Sequence, residues 1–306
     1  MPVTSGSAVW ADYPQFNICM TDYQQLLFPY AYNILGTAED ARDAVQEVLS
    51  RYFTTAHDDV TDEKNYLIRS VINLAINHKN RNKRMTPQPA EWLPEPVATD
   101  DNADRNVYLK DILSYSLMVL MERLSPIERA VFILKESFDY SHQEIADVLS
   151  ISEEYSRKLL SRAKTRLFKP GAEVKSKEVM DNTNRLVSDY VSAIRQRDLS
   201  RLEEMLSAEV TLITDGGGKV KVVAKVSNGF EEVSNVLRIV IERYLGKAEI
   251  RIRWINHQPA LLFLIKNRLV TCQVLEFSAD GTRIVQVNNV VDPAKLKLLA
   301  SSETNQ

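Results

Sequence analysis

A run of three glycines and a lysine stands in the segment Leu212–Val226, which reads LITDGGGKVKVVAKV. Glycine-rich loops that end in lysine can hold phosphate, because their backbone amides and the ammonium group point at the anion. Such a loop has the pattern G-x-x-x-x-G-K-[ST] and lies between a strand and a helix. Here Val220 follows Lys219, and the residues beyond alternate in polarity as a strand does. The sequence therefore favours the glycine turn of a hairpin over a nucleotide site.

Residues that usually catalyse reactions or bind metals are few and dispersed. The four histidines form no HExxH motif, and no Ser or Cys nucleophile stands at a suitable spacing from them. Cys19 and Cys272 lie near opposite ends of the chain and belong to no CxxC motif, which argues against a disulfide framework or a zinc site. We therefore expect no catalytic residue, no metal and no cofactor, and a protein that is not an enzyme.

Charged residues are sorted into blocks, although the net charge is only −3 over 306 residues. The segment 64–84 carries six basic residues and no acid, and 153–169 carries six basic residues against two acids. The segment 39–63 has the opposite balance, with eight acids against two arginines. Blocks of opposite sign predict several partners along one chain, and basic blocks suit the phosphates of nucleic acid.

The overall composition is that of an ordinary globular protein, with 44% hydrophobic and 26% charged residues. The length allows two domains or slightly more. The first twenty residues lack the pattern of a signal peptide, and no apolar run reaches the roughly 20 residues that span a bilayer. We expect a soluble cytoplasmic protein without a membrane partner.

Helix signals dominate the first 85 residues. A helix is expected over 22–35, kinked or split by Pro29 and stopped by Gly36. A second helix, AEDARDAVQEVLSRYF, follows the N-cap Thr37. The third, NYLIRSVINLAINHKNRNKR, is expected to bury its aliphatic residues and to present on its other face Arg69, Asn73, Asn77 and Lys79.

A linker separates these helices from the next group. Four prolines stand between Met85 and Arg105, and so many prolines cannot continue a helix. Trp92 in this linker is either a local anchor on a neighbouring domain or a functional contact, and the sequence leaves both open.

The next helices have clear start signals. Ser125 and Glu128 form one capping box, and Ser141 and Glu144 form another. The last two helices have helix-turn-helix spacing, with Ser150 in a turn where glycine is common. The second of them is expected to act as a recognition helix that projects Glu153, Glu154, Ser156, Arg157, Lys158 and Arg162.

Beyond a second linker the pattern changes from helices to mixed structure. We expect helices over about 179–195 and 199–206, a strand over 210–214, the glycine turn with KVKVVAKV as its second strand, and a helix over 230–245. Four alternating segments follow, with turns at 257–259, Asn267 and 280–281, and then a short helix over 293–299. This order predicts an α+β domain in which a curved antiparallel sheet wraps on helices.

The order of these parts resembles that of the extracytoplasmic-function sigma factors. AEDARDAVQEVLSRYF resembles the part of sigma region 2 that docks on the polymerase clamp, and NYLIRSVINLAINHKNRNKR resembles the helix that melts and reads the −10 element. The segment LSPIERAVFILKESFDYSHQEIADVLSISEEYSRKLLSRAKTRL resembles region 4, whose helix-turn-helix reads the −35 element.

Three short motifs resemble those of the subfamily with a SnoaL-like C-terminal extension. They are WLPEP at 92–96, DGGGK at 215–219 and VDPAKL at 291–296. The third motif departs from the family pattern Asn-Pro-Asp-Lys-Leu, since Asp292 replaces Asn and Ala294 replaces Asp.

The resemblance implies a multidomain fold: two all-α domains followed by an α+β SnoaL-like cone with a curved antiparallel sheet. Region 2 would occupy 1–85, the WLPEP linker 86–110 and region 4 111–169. A second linker would occupy 170–177 and the SnoaL-like regulatory domain 178–306.

The resemblance also implies partners and the residues that bind them. Core RNA polymerase would contact Asp40, Asp43, Gln46 and Glu47. The −10 DNA would contact Lys64, Tyr66, Arg69, Asn73, Asn77, Lys79, Asn80, Arg81, Lys83 and Arg84. The −35 DNA would contact Ser152, Glu153, Glu154, Ser156, Arg157, Lys158 and Arg162. Regulatory contacts would involve Trp92, Leu93, Pro94, Glu95, Pro96, Asp215, Gly216, Gly217, Gly218, Lys219, Asp292, Pro293, Lys295 and Leu296.

By this resemblance the C-terminal extension would regulate the chain without a separate anti-sigma protein. We hypothesise that the glycine turn packs on the linker around 92–96 and sets the placement of the two promoter-reading domains. Two other classes stay open: a SnoaL-like domain that turns over or senses a small ligand, and a helix-turn-helix repressor with a ligand-sensing domain. The acidic face over 40–47 favours the sigma factor, because a repressor needs no polymerase-docking surface.

Overall fold

The structure is a computed structural model that describes residues 14–55, 60–85, 89, 91–99, 107–167, 177–245 and 247–304. Most of the expected second linker, 170–177, and the segments 86–88 and 100–106 of the first lie outside these residues. Cys272 is a buried free thiol, and the side chain of Cys19 lies outside the description. No helix in the described ranges is long and apolar enough to cross a membrane.

Three helices form the N-terminal part: α1 (Pro14–Leu35), α2 (Ala38–Thr54) and α3 (Glu63–Met85). The predicted start of α1 at Asp22 is wrong, because the helix begins at Pro14. It also continues through Pro29 as a single helix, since its packing on α2 and α3 outweighs the one backbone bond that proline removes. The expected start of α2 after Thr37 is confirmed.

A 3-10 turn at Val107–Asp111 leads into α4 (Tyr115–Met121), α5 (Pro126–Glu136), α6 (His142–Leu149) and α7 (Glu153–Leu167). Both predicted capping boxes are present, at the starts of α5 and α6. Ser150 ends α6 in the left-handed conformation with φ of 53°, in the expected helix-turn-helix turn. The two helical groups share one hydrophobic core, in which Ile72 of α3 belongs to the same cluster as Phe132 of α5.

The C-terminal part has the expected α+β composition. Its elements are α8 (Lys177–Gln196), α9 (Leu199–Glu204), β1 (Leu206–Asp215), β2 (Val226–Asn228), α10 (Phe230–Val240), β3 (Glu249–Ile255), β4 (Gln258–Ile265), β5 (Arg268–Phe277), β6 (Ile284–Val290) and α11 (Pro293–Thr304). The strands form one six-stranded sheet in the order β2-β1-β6-β5-β4-β3. The predicted meander from β3 to β6 is antiparallel throughout, while β1 and β6 run parallel.

The segment after the glycines differs from the prediction. The strand β2 is confined to Val226–Asn228, and residues 216–225 form a loop, in which the Lys225 carbonyl accepts one hydrogen bond of 2.8 Å from Thr214 N of β1. Alternating polarity indicates a strand where one face is buried. Here Val220 and Val223 are exposed to solvent. The alternating Lys and Val residues therefore do not reflect a strand with one buried face.

Two of the hairpin turns have two residues each. The β3–β4 turn lies at Asn256–His257 and not at the predicted 257–259, and the β4–β5 turn lies at Lys266–Asn267. All four residues have positive φ between 48° and 63°, as a two-residue turn between twisted antiparallel strands requires.

Both faces of the sheet are covered. On one face Leu212, Leu275 and Val287 pack with Tyr190 of α8 and Val233 of α10. On the other face Val274 and Val290 pack with Leu296 of α11, Leu93 of the linker and Tyr115 of α4. The second face therefore joins the sheet to the linker and to the second helical group.

We predict that Ser150→Gly stabilises the protein. A non-glycine residue at φ of 53° is strained, and glycine adopts this conformation without a Cβ clash. The free energy of unfolding should rise by about 0.5–1 kcal/mol, measured by urea denaturation. Ser150→Ala keeps the strain and serves as the control, and an equal gain from alanine would contradict this account.

Candidate functional site

The predicted polymerase-facing residues share one side of α2. Asp43 and Gln46 are exposed. Asp40 accepts a hydrogen bond of 2.5 Å from the Thr37 hydroxyl. Glu47 pairs with Arg51 one turn later and lies 3.8 Å from His78 Nε2 of α3. This face keeps its acidic character while two of its carboxylates have partners within the chain.

The basic face of α3 is in part bound by the second helical group. Arg69 Nη2 donates to Ser150 Oγ at 3.0 Å, and Asn73 Nδ2 donates to the Val148 carbonyl at 3.1 Å. Lys83 Nζ donates to the carbonyl of Leu124 at 2.9 Å. The other predicted −10 residues except Lys79 are exposed, namely Lys64, Tyr66, Asn77, Asn80, Arg81 and Arg84.

Lys79 does not lie on the outer face of α3, so that placement is wrong. It is 3% exposed, and its ammonium donates to the Leu35 carbonyl at 2.9 Å and to both carboxylate oxygens of Glu122 at 3.1 Å. Glu122 also pairs with the fully buried Arg129, whose Nε donates to the Asn33 carbonyl at 2.7 Å. Burial and the nearby Arg129 lower the pKa of Lys79 to about 7, while Glu122 opposes them. DNA binding by Lys79 stays a prediction and would require these contacts to open.

Most predicted −35 residues project from α7, except that Ser156 is buried. Ser156 falls on the inner face together with Leu159 and Ala163, and a hydrogen bond of 2.9 Å joins it to His142 Nδ1. The remaining members are exposed or half-buried: Ser152, Glu153, Glu154, Arg157, Lys158 and Arg162. Arg157 and Lys158 pair with glutamates one turn before them, and Lys158 Nζ lies 2.6 Å from Glu154. The predicted outward position of Ser156 is therefore wrong.

The linker is bound to the C-terminal part through Leu93. Asp215 Oδ2, at the end of β1, accepts a hydrogen bond of 2.9 Å from Leu93 N. Lys295 of α11 donates to the Leu93 carbonyl and lies 2.5 Å from the same oxygen of Asp215. Burial lowers the pKa of Lys295, and Asp215 opposes that shift. Asp215 and Lys295 thus give a hydrogen-bond partner to both the N–H and the carbonyl of Leu93, which is buried.

Trp92 contacts two parts of the chain at once. The ammonium of Lys295 lies 4.1 Å from the Trp92 ring centroid, and that of Lys79 lies at 5.4 Å. A Cβ added to Gly36 would stand 2.9 Å from the ring, so the indole also packs against the end of α1. Cations over an indole face are stabilising. Trp92 is therefore an anchor between the N-terminal helices and the C-terminal part.

The VDPAKL motif at 291–296 lies beside the glycines of the DGGGK motif at 215–219. Asp292 N donates to the Asp215 carbonyl at 3.1 Å, and Asp292 Oδ1 accepts from Ala294 N at 3.0 Å in the first turn of α11. Lys219 Nζ lies 3.8 Å from Asp292. A Cβ on Gly217 would overlap the Asp292 carboxylate, so this glycine allows a close approach. Asp292 can therefore replace the usual asparagine, since both residue types cap helices.

Three important residues were missed by the sequence argument. Glu122 and Arg129 form the buried ionic group with Lys79, and Asn256 joins three elements. Asn256 Oδ1 accepts from Val97 N at 3.0 Å, and its Nδ2 donates to the carbonyl of Leu113 at 3.1 Å. Glu122 and Arg129 stand seven residues apart, but their other partners, Lys79 and the Asn33 carbonyl, are distant in sequence, and so are those of Asn256. No local pattern marks such contacts, and only the turn at Asn256 was a usable signal.

Two segments of the chain match known protein families. Residues 19–85 match the family model described as Sigma-70 region 2, and residues 114–167 match Sigma-70, region 4. The ECF RNA polymerase sigma factor SigJ of Mycobacterium tuberculosis is 29% identical over 225 residues, which are 72% of each chain. The probable ECF RNA polymerase sigma factor SigI of the same species is 28% identical over 281 residues, covering 90% of this chain and 92% of SigI.

The fold extends this likeness through the α+β part. The crystal structure of the Mycobacterium tuberculosis extracytoplasmic function sigma factor SigJ superposes with a TM-score of 0.71 at 24% identity, covering 92% of this chain and 98% of SigJ. The chain carries sigma-70 regions 2 and 4 and is similar to extracytoplasmic-function sigma factors over most of its length. Helices α1–α3 contain the segment that matches region 2, α4–α7 contain the segment that matches region 4, and the α+β part shares its fold with SigJ. The matches to regions 2 and 4 support a role in promoter-specific transcription initiation.

We predict that alanine lowers the free energy of unfolding by different amounts at two adjacent glycines of the α+β part. Gly217 and Gly218 both have positive φ, but only a Cβ at Gly217 would meet Asp292, at 2.1 Å. Gly218→Ala should lower the free energy of unfolding by about 1 kcal/mol, and Gly217→Ala by about 3 kcal/mol. Thermal or urea unfolding of the protein would measure both. Equal costs at the two positions would contradict the close approach to Asp292.

Proposed function

We propose that this sigma factor binds core RNA polymerase in the cytoplasm and directs it to promoters with a −10 and a −35 element. Region 2 would melt and read the −10 element through α3. Region 4 would read the −35 element through α7. Its relatives SigJ and SigI of Mycobacterium tuberculosis are named as sigma factors of RNA polymerase, which supports the choice of partner.

The observation that carries the proposal is the pairing of an acidic helix face with a basic one in region 2. Asp43 and Gln46 are exposed on α2, and the acid-free stretch of α3 follows in the same domain. An acidic docking face suits a basic partner surface, and lysine and arginine side chains suit DNA phosphates. Exposed Tyr66 and the asparagine amides of α3 suit unstacked bases.

We further propose that the SnoaL-like extension modulates activity without a separate anti-sigma protein. Its Asp215 and Lys295 hold the linker at Leu93, and the linker connects regions 2 and 4. In the same arrangement, region 4 accepts hydrogen bonds from three side chains of α3, namely Arg69, Asn73 and Lys83. Because these donors are among the predicted −10 contacts, a chain held in this arrangement would bind promoter DNA less well.

The central test is binding to core polymerase, with charge reversal as the probe. The full chain should co-purify with core polymerase and support run-off transcription from genomic fragments. Asp43→Lys should weaken core binding about tenfold or more without changing the melting temperature, because it reverses an exposed docking charge.

Asp181→Lys is the matched control, since Asp181 is an exposed acid on α8 of the extension. It should leave core binding within twofold of wild type. Failure of the wild-type chain to bind core polymerase would refute the proposal. An equal effect of both reversals would refute the role of α2.

The test of modulation is Asp215→Asn. The change removes the partner of buried Lys295 and weakens the hold on Leu93, and breaking a buried ion pair costs about 3–5 kcal/mol. Promoter-directed transcription should rise severalfold, measured by run-off assay with folding checked by circular dichroism. Asp181→Asn should not change it. Unaltered transcription from a folded Asp215→Asn protein would refute modulation through this junction.

A further inference from the structure

The first turn of α2 lacks a cap from its own N-cap residue. Thr37 has the extended conformation of an N-cap, with φ of −124° and ψ of 137°, but its side chain accepts no bond from the helix. Its hydroxyl instead donates to Asp40 Oδ2 at 2.5 Å. The first backbone N–H groups of any helix have no partner inside the helix, so they require one from elsewhere.

That partner is Glu95, 57 positions along the chain from Ala38. Glu95 Oε2 accepts a hydrogen bond of 2.7 Å from Ala38 N and a longer one of 3.4 Å from Glu39 N. The residue is 4% exposed, so its bonds with α2 are shielded from water. A carboxylate at a helix N-terminus is stabilised both by these bonds and by the helix dipole.

The backbone of Glu95 is also held against region 2. Glu95 N donates to the carbonyl of Gly36 at 2.9 Å, and the Tyr32 hydroxyl donates to the carbonyl of Glu95 at 2.7 Å. Asn256 Nδ2 in turn donates to the Tyr32 hydroxyl at 2.9 Å, and Tyr32 is fully buried. Burial raises the pKa of the Glu95 carboxyl, and its bonds with Ala38 and Glu39 lower it. The linker is therefore fixed where α1 ends and α2 begins.

We propose that Glu95 is a positioning residue for polymerase binding, because its carboxylate caps α2 and sets the placement of the docking residues Asp40 and Asp43. Asp40 is the third residue of α2 and Asp43 the sixth, so both depend on an ordered first turn. The inference rests on the proposed function, in which this face of α2 docks on polymerase. It adds that a linker residue controls the geometry of that face, and that the cap remains in the bound state.

The experiment removes the cap and then restores one within the helix. Glu95→Ala should weaken binding of the full chain to core polymerase about five- to tenfold, as expected for loss of a helix cap. Hydrogen exchange at the amides of Ala38 and Glu39 should accelerate by a similar factor. Glu95→Gln keeps an acceptor oxygen and loses the charge, so it should fold normally and give an intermediate loss.

The rescue variant separates capping from any other role of Glu95. Asparagine is among the strongest N-cap residues, so Thr37→Asn supplies a cap from the helix itself. In the Glu95→Ala background it should recover at least half of the lost polymerase affinity and slow the exchange of the same amides. Glu91→Ala is the matched control: Glu91 lies in the same linker but pairs with Lys225, so exchange at Ala38 and Glu39 should not change.

Two results would overturn the inference. Unchanged or tighter polymerase binding by Glu95→Ala would show that Glu95 does not position α2 for docking. A loss that Thr37→Asn does not recover would show that Glu95 acts by a route other than the cap. Failure of the wild-type chain to bind core polymerase would instead reject the proposed function, and the exchange measurement would still report whether Glu95 caps α2.

Discussion

The linker backbone at Leu93 is buried, and the buried pair of Asp215 and Lys295 satisfies both of its hydrogen-bonding groups. A buried backbone group without a partner is costly, so the linker can cross the sheet surface here only because these two side chains meet it. Neither side chain would be stable there alone, because a single buried charge is strongly unfavourable. The position of the linker therefore depends on the C-terminal domain.

The rest of the arrangement follows from this contact. With Leu93 held on the sheet, Trp92 lies between Lys295 and Lys79, and Glu95 reaches the start of α2. Lys79 then bonds to Glu122 in the group that joins regions 2 and 4. Each step couples one domain to the next through a polar contact with little exposure to water.

Local patterns predicted the elements well where one helix face or sheet face was buried. The capping boxes at Ser125 and Ser141 are present as expected, and so is the antiparallel meander from β3 to β6. The segment 219–225 was misread because its alternating Lys and Val residues face no core. Lys79 and Ser156 were placed on outer faces because charge and polarity usually indicate exposure, yet both are buried and each has a hydrogen-bond partner on another helix.

By itself, the sequence determined most of the helices and strands and the separation of acidic from basic faces. These depend on periodicity, capping and composition, which act over a few residues. The order of regions 2 and 4 and the extension was implied by the resemblance to sigma factors. Only the tertiary structure decided that Glu95 caps α2 and that Asp215 and Lys295 hold Leu93. Those contacts join residues separated by 57 to 202 positions, and local sequence patterns carry no information about such pairs.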